Sequence, residues 1–488
     1  MGQVSLTGLI MGRWGSDQQF DFFKEYVRNG MAGIVTCRWG FGFLNWAGIA
    51  MKKLRIAVFS LLFLVYGAPA YGALSIDITK GGLQPLPIAL SDFVDLSPDG
   101  TASPQGTSGH RINEVVTADL ERSGLFKPLD PATFLQTPVE LWQQGPNFRG
   151  WRLIGADAVV SGAVHEKDGK LIADFFLHDV YQGSLVGKGK RFTAPVRDWR
   201  HVAHRIADEI YTRLTGESGY FTSRIAFVAN KGDMKWLALM DQDGANRVDL
   251  TRDRTIVLTP RFAPAGEQLF YLSYERGPPR IFRWDLYTGK RTIQGDYPGL
   301  NSAPAWSPDG RSMAVTLSMD GNSEIYLRDI HGGGLRRLTE NSAIDTSPSF
   351  SPDGSQIVFN SDRGGSPQIY VMDAADGGNV RRLTFEGSYN AAPCWSPRGD
   401  YIAYVSGGGG RFRISVIDPK GQNSRALTDS WMDESPTWSP NGRVILFSRQ
   451  AGSQTRLYTV DLTGHNERLV SLDDDLNGSD PSWSPLIR

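Results

Sequence analysis

SAPAWSPDGRSMAVTLSMDGNSEIYLRDIHGGGLRRLT occupies residues 302–339, and residues 346–384 repeat its pattern as TSPSFSPDGSQIVFNSDRGGSPQIYVMDAADGGNVRRLT. Each copy has a proline and an aromatic residue before Ser-Pro-Asp-Gly. An apolar run that ends at an aspartate follows, and then Arg-Arg-Leu-Thr. A unit of this length that recurs within one chain is typical of repeat architectures, in which each unit packs against its neighbours.

Two kinds of marker residue define the period of this repeat. The first is a proline two residues before an aromatic side chain, and its copies are spaced by 43 to 45 residues. The second is an aspartate that ends an apolar run, 25 residues after the proline. The prolines are Pro260, Pro304, Pro348, Pro393, Pro436 and Pro481, and the aspartates are Asp241, Asp285, Asp329, Asp373, Asp418 and Asp461.

The two sets of markers do not pair completely at the ends of the array. Asp241 has no proline 25 residues before it, and no aspartate follows Pro481 before Arg488. Five units are therefore whole, and one is split between the two ends. A closed ring would join the halves, so we expect residues 481–488 to supply the first strand of the last unit and residues 223–251 the other three.

Each unit reads as four short strands separated by glycine-containing turns. In the first quoted copy, Asp309-Gly310 supplies such a turn, because glycine adopts a positive φ without steric cost. Four strands in a unit of this length are typical of a β-propeller blade, and a ring leaves few strand edges exposed. The sequence therefore predicts a mainly β protein in which residues 219–488 form a six-bladed β-propeller.

The aromatic residue in the first strand of each unit is expected to pack between neighbouring blades rather than to contact a ligand. Cys394 lies in the same strand of its unit, and we expect it to be a small buried thiol. The aromatic residues are Phe262, Trp306, Phe350, Trp395, Trp438 and Trp483.

Residues 73–218 lack the repeat and mix helical with strand-like patterns. Two runs of strand character flank Asp168-Gly169, a dipeptide typical of a β-hairpin turn. Gly216 is a natural stop for the second of two predicted helices. The apolar residues at helical spacing are Ile112, Val115, Val116 and Leu120 in the first helix, and Trp199, Val202, Ile206, Ile210 and Leu214 in the second. The pattern predicts a small α/β domain before the propeller.

An export signal begins inside the chain, at Met51. A basic start, an apolar stretch too short to span a bilayer and an exit of small residues follow one another there. We expect residues 51–72 to be a secretory signal peptide and residues 1–50 to be a non-native or mis-called leader. The mature chain is then expected to begin near Ala73.

Composition and motifs argue against several classes of function. Lys and Arg total 51 and Asp and Glu total 52, so the net charge of −1 gives no basic field for nucleic acid. Two cysteines cannot form a disulfide framework. The Gly-x-Ser-x-Gly elbow of a propeller-bearing serine peptidase is missing, as are phosphate-loop and dinucleotide motifs.

The histidines of the second predicted helix could touch a metal, because His201 and His204 are three residues apart. We expect them instead to lie on the solvated face of that helix. Together with the missing motifs, this predicts a protein that is not an enzyme and has no catalytic residues, no cofactor and no metal.

The whole arrangement resembles the TolB family, the periplasmic propeller proteins of the Tol-Pal system. The resemblance covers residues 73–488 and rests on the junction GYFTSRIAFV, the PxWSPDG repeats with their RRLT ends, and the terminal PSWSP. It implies a monomeric scaffold in the periplasm with no stable membrane insertion after signal cleavage. Its partners would be the lipoprotein Pal, the C-terminal domain of TolA and other outer-membrane proteins. The implied role is outer-membrane integrity and the invagination of that membrane during cell division.

Two alternatives to this resemblance belong to other classes of function. One is a secreted propeller hydrolase, and the other is an unrelated propeller that binds a small ligand. A metal or a sugar in the channel would favour the second alternative.

The expected TolA-binding segment is the start of the mature chain. It alternates apolar and polar side chains, a pattern that suits addition of a strand to an exposed sheet edge. The alternative is an edge strand of its own domain, and we expect the segment to switch between the two positions. Its residues are Ala73, Leu74, Ser75, Ile76, Asp77 and Ile78.

The loops that enter the innermost strands are expected to rim one mouth of the central channel. They vary in sequence while the strands beside them are nearly uniform, as in scaffolds that carry recognition on loops. The resemblance implies that Pal docks on this mostly polar face. The expected contact residues are Leu300, Asn301, Ser302, Asp345, Thr346, Ser347, Asn390, Ala391, Glu434, Ser435 and Asp480.

Overall fold

A computed structural model describes residues 84–486, apart from residues 98, 104–105, 252–254, 276, 303, 331, 333, 471 and 474–475. The expected leader, the expected signal peptide and the expected TolA-binding segment lie outside the described residues. The described chain first forms a sheet with helices and then, from Arg224 onward, a succession of strands.

The first sheet contains the strands β1 (Leu86–Leu90), β2 (Val94–Asp95), β3 (Phe126–Pro128), β4 (Ala158–Lys167), β5 (Lys170–Asp179), β6 (Ser184–Leu185) and β7 (Lys190–Pro195). β1 lies between β3 and β4 and runs parallel to both. β4 and β5 form a long antiparallel hairpin, and β7 extends the sheet on the other side of β5. The sheet is therefore mixed, as in a small α/β domain.

Four helices accompany this sheet: α1 (Ser108–Arg122), α2 (Pro138–Gln144), α3 (Phe148–Leu153) and α4 (Trp199–Thr215). α1 and α4 pack against each other and share one core with the sheet. α2 and α3 bury Leu141 and Trp151 in a separate cluster with Ala89 and Val159 of the sheet. Short 3-10 helices cover Pro131–Thr133 and Val196–Asp198.

The sequence predicted the local geometry of this region. Asp168 and Gly169 join β4 to β5 with φ angles of 52° and 71°, the two positive values that a type I′ hairpin turn needs. Gly216 follows α4 with φ of 74°, so it ends that helix in the left-handed conformation. The apolar faces predicted for α1 and α4 are buried, except for Trp199, which is half-buried.

The strands after Arg224 are grouped in short antiparallel sheets, and together they form a β-propeller. The first eleven are β8 (Arg224–Lys231), β9 (Met234–Asp241), β10 (Val248–Asp249), β11 (Val257–Phe262), β12 (Gln268–Ser273), β13 (Arg280–Asp285), β14 (Arg291–Gly295), β15 (Ala305–Trp306), β16 (Ser312–Leu317), β17 (Glu324–Asp329) and β18 (Leu335–Arg337). The next are β19 (Asp345–Phe350), β20 (Gln356–Ser361), β21 (Gln368–Asp373), β22 (Arg381–Arg382), β23 (Tyr389–Trp395), β24 (Ile402–Gly408), β25 (Arg411–Ile417) and β26 (Arg425–Ala426). The last are β27 (Met432–Trp438), β28 (Val444–Ala451), β29 (Gln454–Asp461), β30 (Arg468–Leu469) and β31 (Asn477–Trp483).

Four of these sheets have four strands each, and a fifth has eight. The four-stranded sheets are β31-β8-β9-β10, β11 to β14, β15 to β18 and β19 to β22. The eight-stranded sheet contains β23 to β30. Its two halves are joined by a single parallel pair, Phe412 with Met432.

The last strand of the chain pairs with the first strand of this region. β31 runs antiparallel to β8, with Trp483 opposite Ile225 and Asn477 opposite Asn230. The strand starts at Asn477, four residues before the expected start at Pro481. β11, β19, β23 and β27 also begin before their proline, whereas β15 begins just after Pro304.

The marker aromatics pack between neighbouring sheets, as predicted. Trp438 shares a cluster with Ala403 of the preceding sheet half, and its indole N–H donates to the carbonyl oxygen of Cys394 at 2.9 Å. Trp306 meets Phe270 of the preceding sheet edge-to-face at 4.8 Å. Cys394 lines the central channel and is partly exposed as a residue, although burial of its thiol raises the pKa of that group.

The polar residues of the repeat motif bind the backbone. The hydroxyl oxygen of Thr339, in Arg-Arg-Leu-Thr, accepts the N–H of Ile325 at 2.9 Å, and Thr384 and Thr428 act likewise on their own sheets. In Ser-Pro-Asp-Gly, the hydroxyl of Ser307 accepts the N–H of Ser312 at 2.9 Å. These bonds satisfy backbone donors at strand ends, which accounts for the recurrence of these residue types.

Charged residues join the small domain to the strands that follow it. Glu217 pairs with Arg443, and it also accepts from Nη1 of Arg398 at 2.9 Å. Nη2 of Arg468 donates to the carbonyl oxygen of Glu121 at the end of α1, 3.0 Å away. The small domain therefore contacts the propeller through specific side chains.

His204 lies at this junction and is almost fully buried, so the expectation of a solvated face is wrong for it. Its Nδ1 lies 2.6 Å from Asp119 on α1. Its Nε2 lies 4.0 Å from Asp241, the last residue of β9, and 3.9 Å from Asp243 in the turn that follows. α1 and the turn after β9 cover the face of α4 that the sequence analysis expected to be solvated. His201, on the same helix, remains exposed.

The carboxylates around His204 favour a charged ring. Asp119, His204 and Asp243 are the one cluster of possible metal ligands found among the described residues. Arg122 already pairs with Asp119 at 3.0 Å, and Arg200 pairs with Asp243. Burial opposes the charge of the imidazolium. The carboxylates, Asp119 foremost, outweigh that effect and raise the pKa of His204.

We expect His204 to stabilise the protein more at low pH than at high pH. A raised folded-state pKa gives a stabilisation that is complete below the unfolded value of about 6.5 and is lost as pH rises through the folded-state pKa. The difference in urea midpoint between wild type and His204→Gln should therefore be largest near pH 5.5 and should shrink above pH 7. Tryptophan fluorescence at a series of pH values measures it.

His201→Gln is the matched control for this experiment. Although His201 is exposed as a residue, partial desolvation of its ring and the nearby Arg205 lower its pKa, so the corresponding difference for this variant should grow as pH rises. A His204→Gln difference that does not change with pH would contradict a charged His204 at the junction.

Candidate functional site

The innermost strands share a β-bulge at the point where each reaches the marker proline. The register shifts between Thr346 and Ser349 on β19, and at equivalent positions of β11, β23, β27 and β31. The residue before the proline has a positive φ of 47° to 56° on each of these strands, and these residues are Thr259, Ser347, Ala392, Ser435 and Asp480. A non-glycine residue in this conformation is strained. Because the same strained conformation recurs on these strands, it is a structural feature of the repeat at the channel mouth.

Several residues of the expected docking face are turned into the protein. Asn301, Asp345 and Asn390 are at most 2% exposed. The amide of Asn301 donates to the carbonyl oxygen of Tyr297 at 2.7 Å, and Arg363 donates to Asp345 at 2.7 Å. These side chains hold the loops in place and lie below the accessible surface of the mouth.

The remaining expected residues are accessible to different degrees. Leu300, Ser347 and Glu434 are exposed. The half-buried residues are Ser302, Thr346, Ser435 and Asp480, while Ala391 is buried. Ser302 and Thr346, which follow the buried Asn301 and Asp345, therefore contribute to the polar surface of the mouth.

Hydrogen bonds fix two of these polar side chains. Oγ1 of Thr346 accepts from the amide of Asn360 at 3.3 Å, and the hydroxyl of Ser435 donates to Asp480 at 3.0 Å. Burial, and then the neighbouring carboxylate of Asp480, raise the pKa of Glu434. A cation brought to this part of the mouth would relieve that repulsion.

Five exposed apolar residues lie at or near the starts of the innermost strands, and of these the sequence analysis named only Leu300. Each lies one or two residues before the first buried residue of the loop or strand that follows it. These residues, with the exposed fraction of each, are Ile256 (51%), Leu300 (39%), Ile344 (51%), Tyr389 (38%) and Trp431 (66%). Large apolar side chains clustered at a surface are typical of a protein-binding site. The repeat spacing could have located them, but only the register showed that they point outward.

The bulged strands enclose a channel with a cavity of about 500 Å³. The marker residues Pro304, Pro348, Pro393 and Pro436 line it, together with hydroxyl-bearing side chains between them. The mouth and the channel are continuous, because Leu300, Thr346, Ser347 and Asp480 also belong to the cavity wall. We define the candidate site as this mouth with its exposed apolar rim.

No helix in the described part of the chain is both long and apolar enough to cross a membrane.

Comparisons with known proteins agree over most of the chain. Residues 211–487 match the family model of the TolB beta propeller domain, and residues 74–186 match that of the TolB amino-terminal domain. The Tol-Pal system protein TolB of Paramagnetospirillum magneticum is 45% identical over 261 residues. That alignment covers 52% of this chain and 57% of the relative, so the chain spans little more than half of the length of that relative.

A solved structure gives the same result for the fold. The crystal structure of TolB from Acinetobacter baumannii superposes with a TM-score of 0.74 at 31% identity, and it covers 85% of this chain and all of that one. One family model matches more than half of the chain, and a second matches the domain before it. The chain therefore belongs to the TolB family.

Proposed function

We propose that this protein is a non-catalytic periplasmic scaffold of the Tol-Pal system, which binds Pal at the channel mouth and TolA through its N-terminal segment. Membership of the TolB family supports the system. The exposed apolar residues of the rim are the observation that carries the docking proposal, because large apolar side chains exposed at a loop-lined mouth suit a protein partner. Its roles would be outer-membrane integrity and invagination of that membrane at division.

We also propose that the propeller has six blades and spans residues 219–488, after a domain of residues 73–218. Six marker prolines support this number. The eight-stranded sheet divides into two sets of four strands that share a single pair, Phe412 with Met432, so it is best counted as two blades. The pairing of β31 with β8 supports a closed ring.

The mouth suits a protein partner for three physical reasons. Its backbone is fixed by strained residues and by the buried Asn and Asp side chains, so little entropy is lost when it is covered. Its rim offers aromatic and aliphatic anchors, and the polar residues between them supply orientation. Glu434 and Asp480 give it a negative charge that favours a basic or amide-bearing partner surface.

Thr346→Arg and Glu434→Arg should each weaken Pal binding by about 1–2 kcal/mol, which is about fivefold to thirtyfold in Kd. Each places a bulky cation where a partner would have to desolvate it. Calorimetric titration of the mature protein with soluble Pal measures the change. Trp431→Ala should weaken binding at least as much, because it removes the most exposed aromatic side chain of the rim.

Leu469→Arg is the matched control, because Leu469 is 56% exposed on the short strand β30, away from the mouth. It should bind Pal like wild type, and melting curves should show all variants folded. If Leu469→Arg weakens binding while the three mouth variants do not, Pal docks elsewhere.

Deletion of residues 73–78 should abolish TolA binding and leave Pal binding intact. The alternating segment would form a strand with TolA through backbone hydrogen bonds, which the deletion removes. A pull-down with the C-terminal domain of TolA, paired with the Pal titration, separates the two outcomes. TolA binding that survives the deletion would contradict this assignment.

The protein recovered from the periplasm should begin near Ala73, because signal peptidase cuts after small residues such as those that end the apolar stretch. N-terminal sequencing measures this directly. A mature chain that retains residues before Met51 would show that the signal and the leader were misread.

A further inference from the structure

One position on the channel wall differs in charge from its counterparts. The residue after each marker proline lines the cavity, and in five of six cases its side chain is small and uncharged. Arg261 is the exception, and it places a guanidinium group inside the channel. The six residues are Arg261, Ala305, Ser349, Cys394, Thr437 and Ser482.

This guanidinium has no acidic partner among the residues that the structure describes. Nη1 of Arg261 donates to the carbonyl oxygen of Pro260 at 2.8 Å, a neutral acceptor of the neighbouring residue. Asp480 is the only other charged residue on the described cavity wall, and it is bound by the hydroxyl of Ser435. A guanidinium with five N–H donors therefore has unused capacity on the channel side.

The charge of Arg261 acts across the channel. Burial raises the pKa of the Cys394 thiol, and the positive charge of Arg261 partly offsets that effect. The two residues belong to β11 and β23, which are in different sheets. The guanidinium therefore contributes to the potential of the channel interior and not only to that of its own strand.

Hydroxyl groups around this position add donors without adding negative charge. Oγ1 of Thr316, a residue only 1% exposed, and Oγ1 of Thr259 are buried without a partner among the described residues, and both line the cavity. The hydroxyl of Thr437 accepts the backbone N–H of Trp483, so its own hydrogen stays available to an acceptor. Unpaired buried hydroxyls are costly, and an acceptor in the channel would satisfy them.

We propose that the channel is a binding site for a single carboxylate group, held by the guanidinium of Arg261 and by the surrounding hydroxyls. A carboxylate matches the paired N–H groups of a guanidinium and takes further hydrogen bonds from hydroxyls. One cation balances one negative charge, whereas a phosphate dianion would be left undercompensated and would face Asp480 on its way in. This site is independent of which protein covers the mouth.

The test uses the mature protein and ¹³C-acetate, with chloride added to hold the ionic strength constant. Wild type should give saturable broadening of the acetate signal, and it should shift the Nε–Hε resonance of Arg261 in arginine-labelled protein. Arg261→Gln should weaken acetate binding at least tenfold. Arg311→Gln is the matched control, because it removes the same charge from a surface side chain that is 78% exposed.

A second pair of probes separates the two sources of a carboxylate. Acetyl-Gly-Glu-Gly-amide and acetyl-Gly-Gln-Gly-amide differ only in the charged group. If the Glu peptide binds and the Gln peptide does not, a carboxylate carried by a polypeptide can occupy the site. If acetate binds and the Glu peptide does not, the site takes small free carboxylic acids. Either result supports the proposed carboxylate site.

The proposal is wrong if neither acetate nor the Glu peptide binds wild type in a saturable way. It is also wrong if Arg261→Gln, shown to be folded by its melting curve, binds as well as wild type. Saturable binding that arises only in Asp480→Asn would overturn it too, because Asp480 and not an incoming anion would then neutralise Arg261.

Discussion

The antiparallel pairing of β31 with β8 is the constraint on which the rest of the molecule depends. It joins residues 477 and 230, so it carries a long loop-closure cost that only cooperative pairing and burial can offset. Once it forms, each sheet has a neighbour on both sides, and the marker aromatics are buried between sheets. The six positions after the prolines then line one cavity, and the entry loops meet at one mouth. Closure thus creates the channel and the candidate site together.

The marker proline has a second consequence at the mouth. Proline cannot donate to the strand ladder, so it suits a bulge, and the residue before it takes a positive φ on five strands. The bulge changes the direction in which the preceding side chains point. In two of the loops a buried residue, Asn301 or Asp345, is followed by one that lines the channel, Ser302 or Thr346, and the apolar residue before the buried one is exposed. The same bulge therefore recurs on five strands, while the side chains that it presents differ from strand to strand.

The sequence predicted the propeller because its signals are periodic and local. The spacing of Pro348 and Asp373 and the turn at Asp168 each depend on residues that are close in the chain. The orientation of mouth residues could not be read in the same way, because a bulge breaks the alternation of side chains on which such readings rest. Asp345 was therefore taken for a surface carboxylate, although it is buried against Arg363. The exposure of His204 was predicted wrongly for a different reason. Its partner Asp119 is 85 residues away in the sequence, so no local pattern indicates the contact.

The small domain lies where the ring is closed by side chains from both ends of the propeller region. The indole N–H of Trp483, in β31, donates to the hydroxyl of Ser223 at 2.7 Å, and its ring meets Tyr220 edge-to-face at 5.7 Å. Tyr220 in turn packs on Tyr211 of α4, so the core of the small domain continues into the closing sheet without a gap. Among the described sheets of the propeller, this one is assembled from both ends of the array, and the core of the small domain packs directly against it. The small domain thus packs on the sheet that closes the ring. The charged contacts of Glu217 and His204 fix its position there.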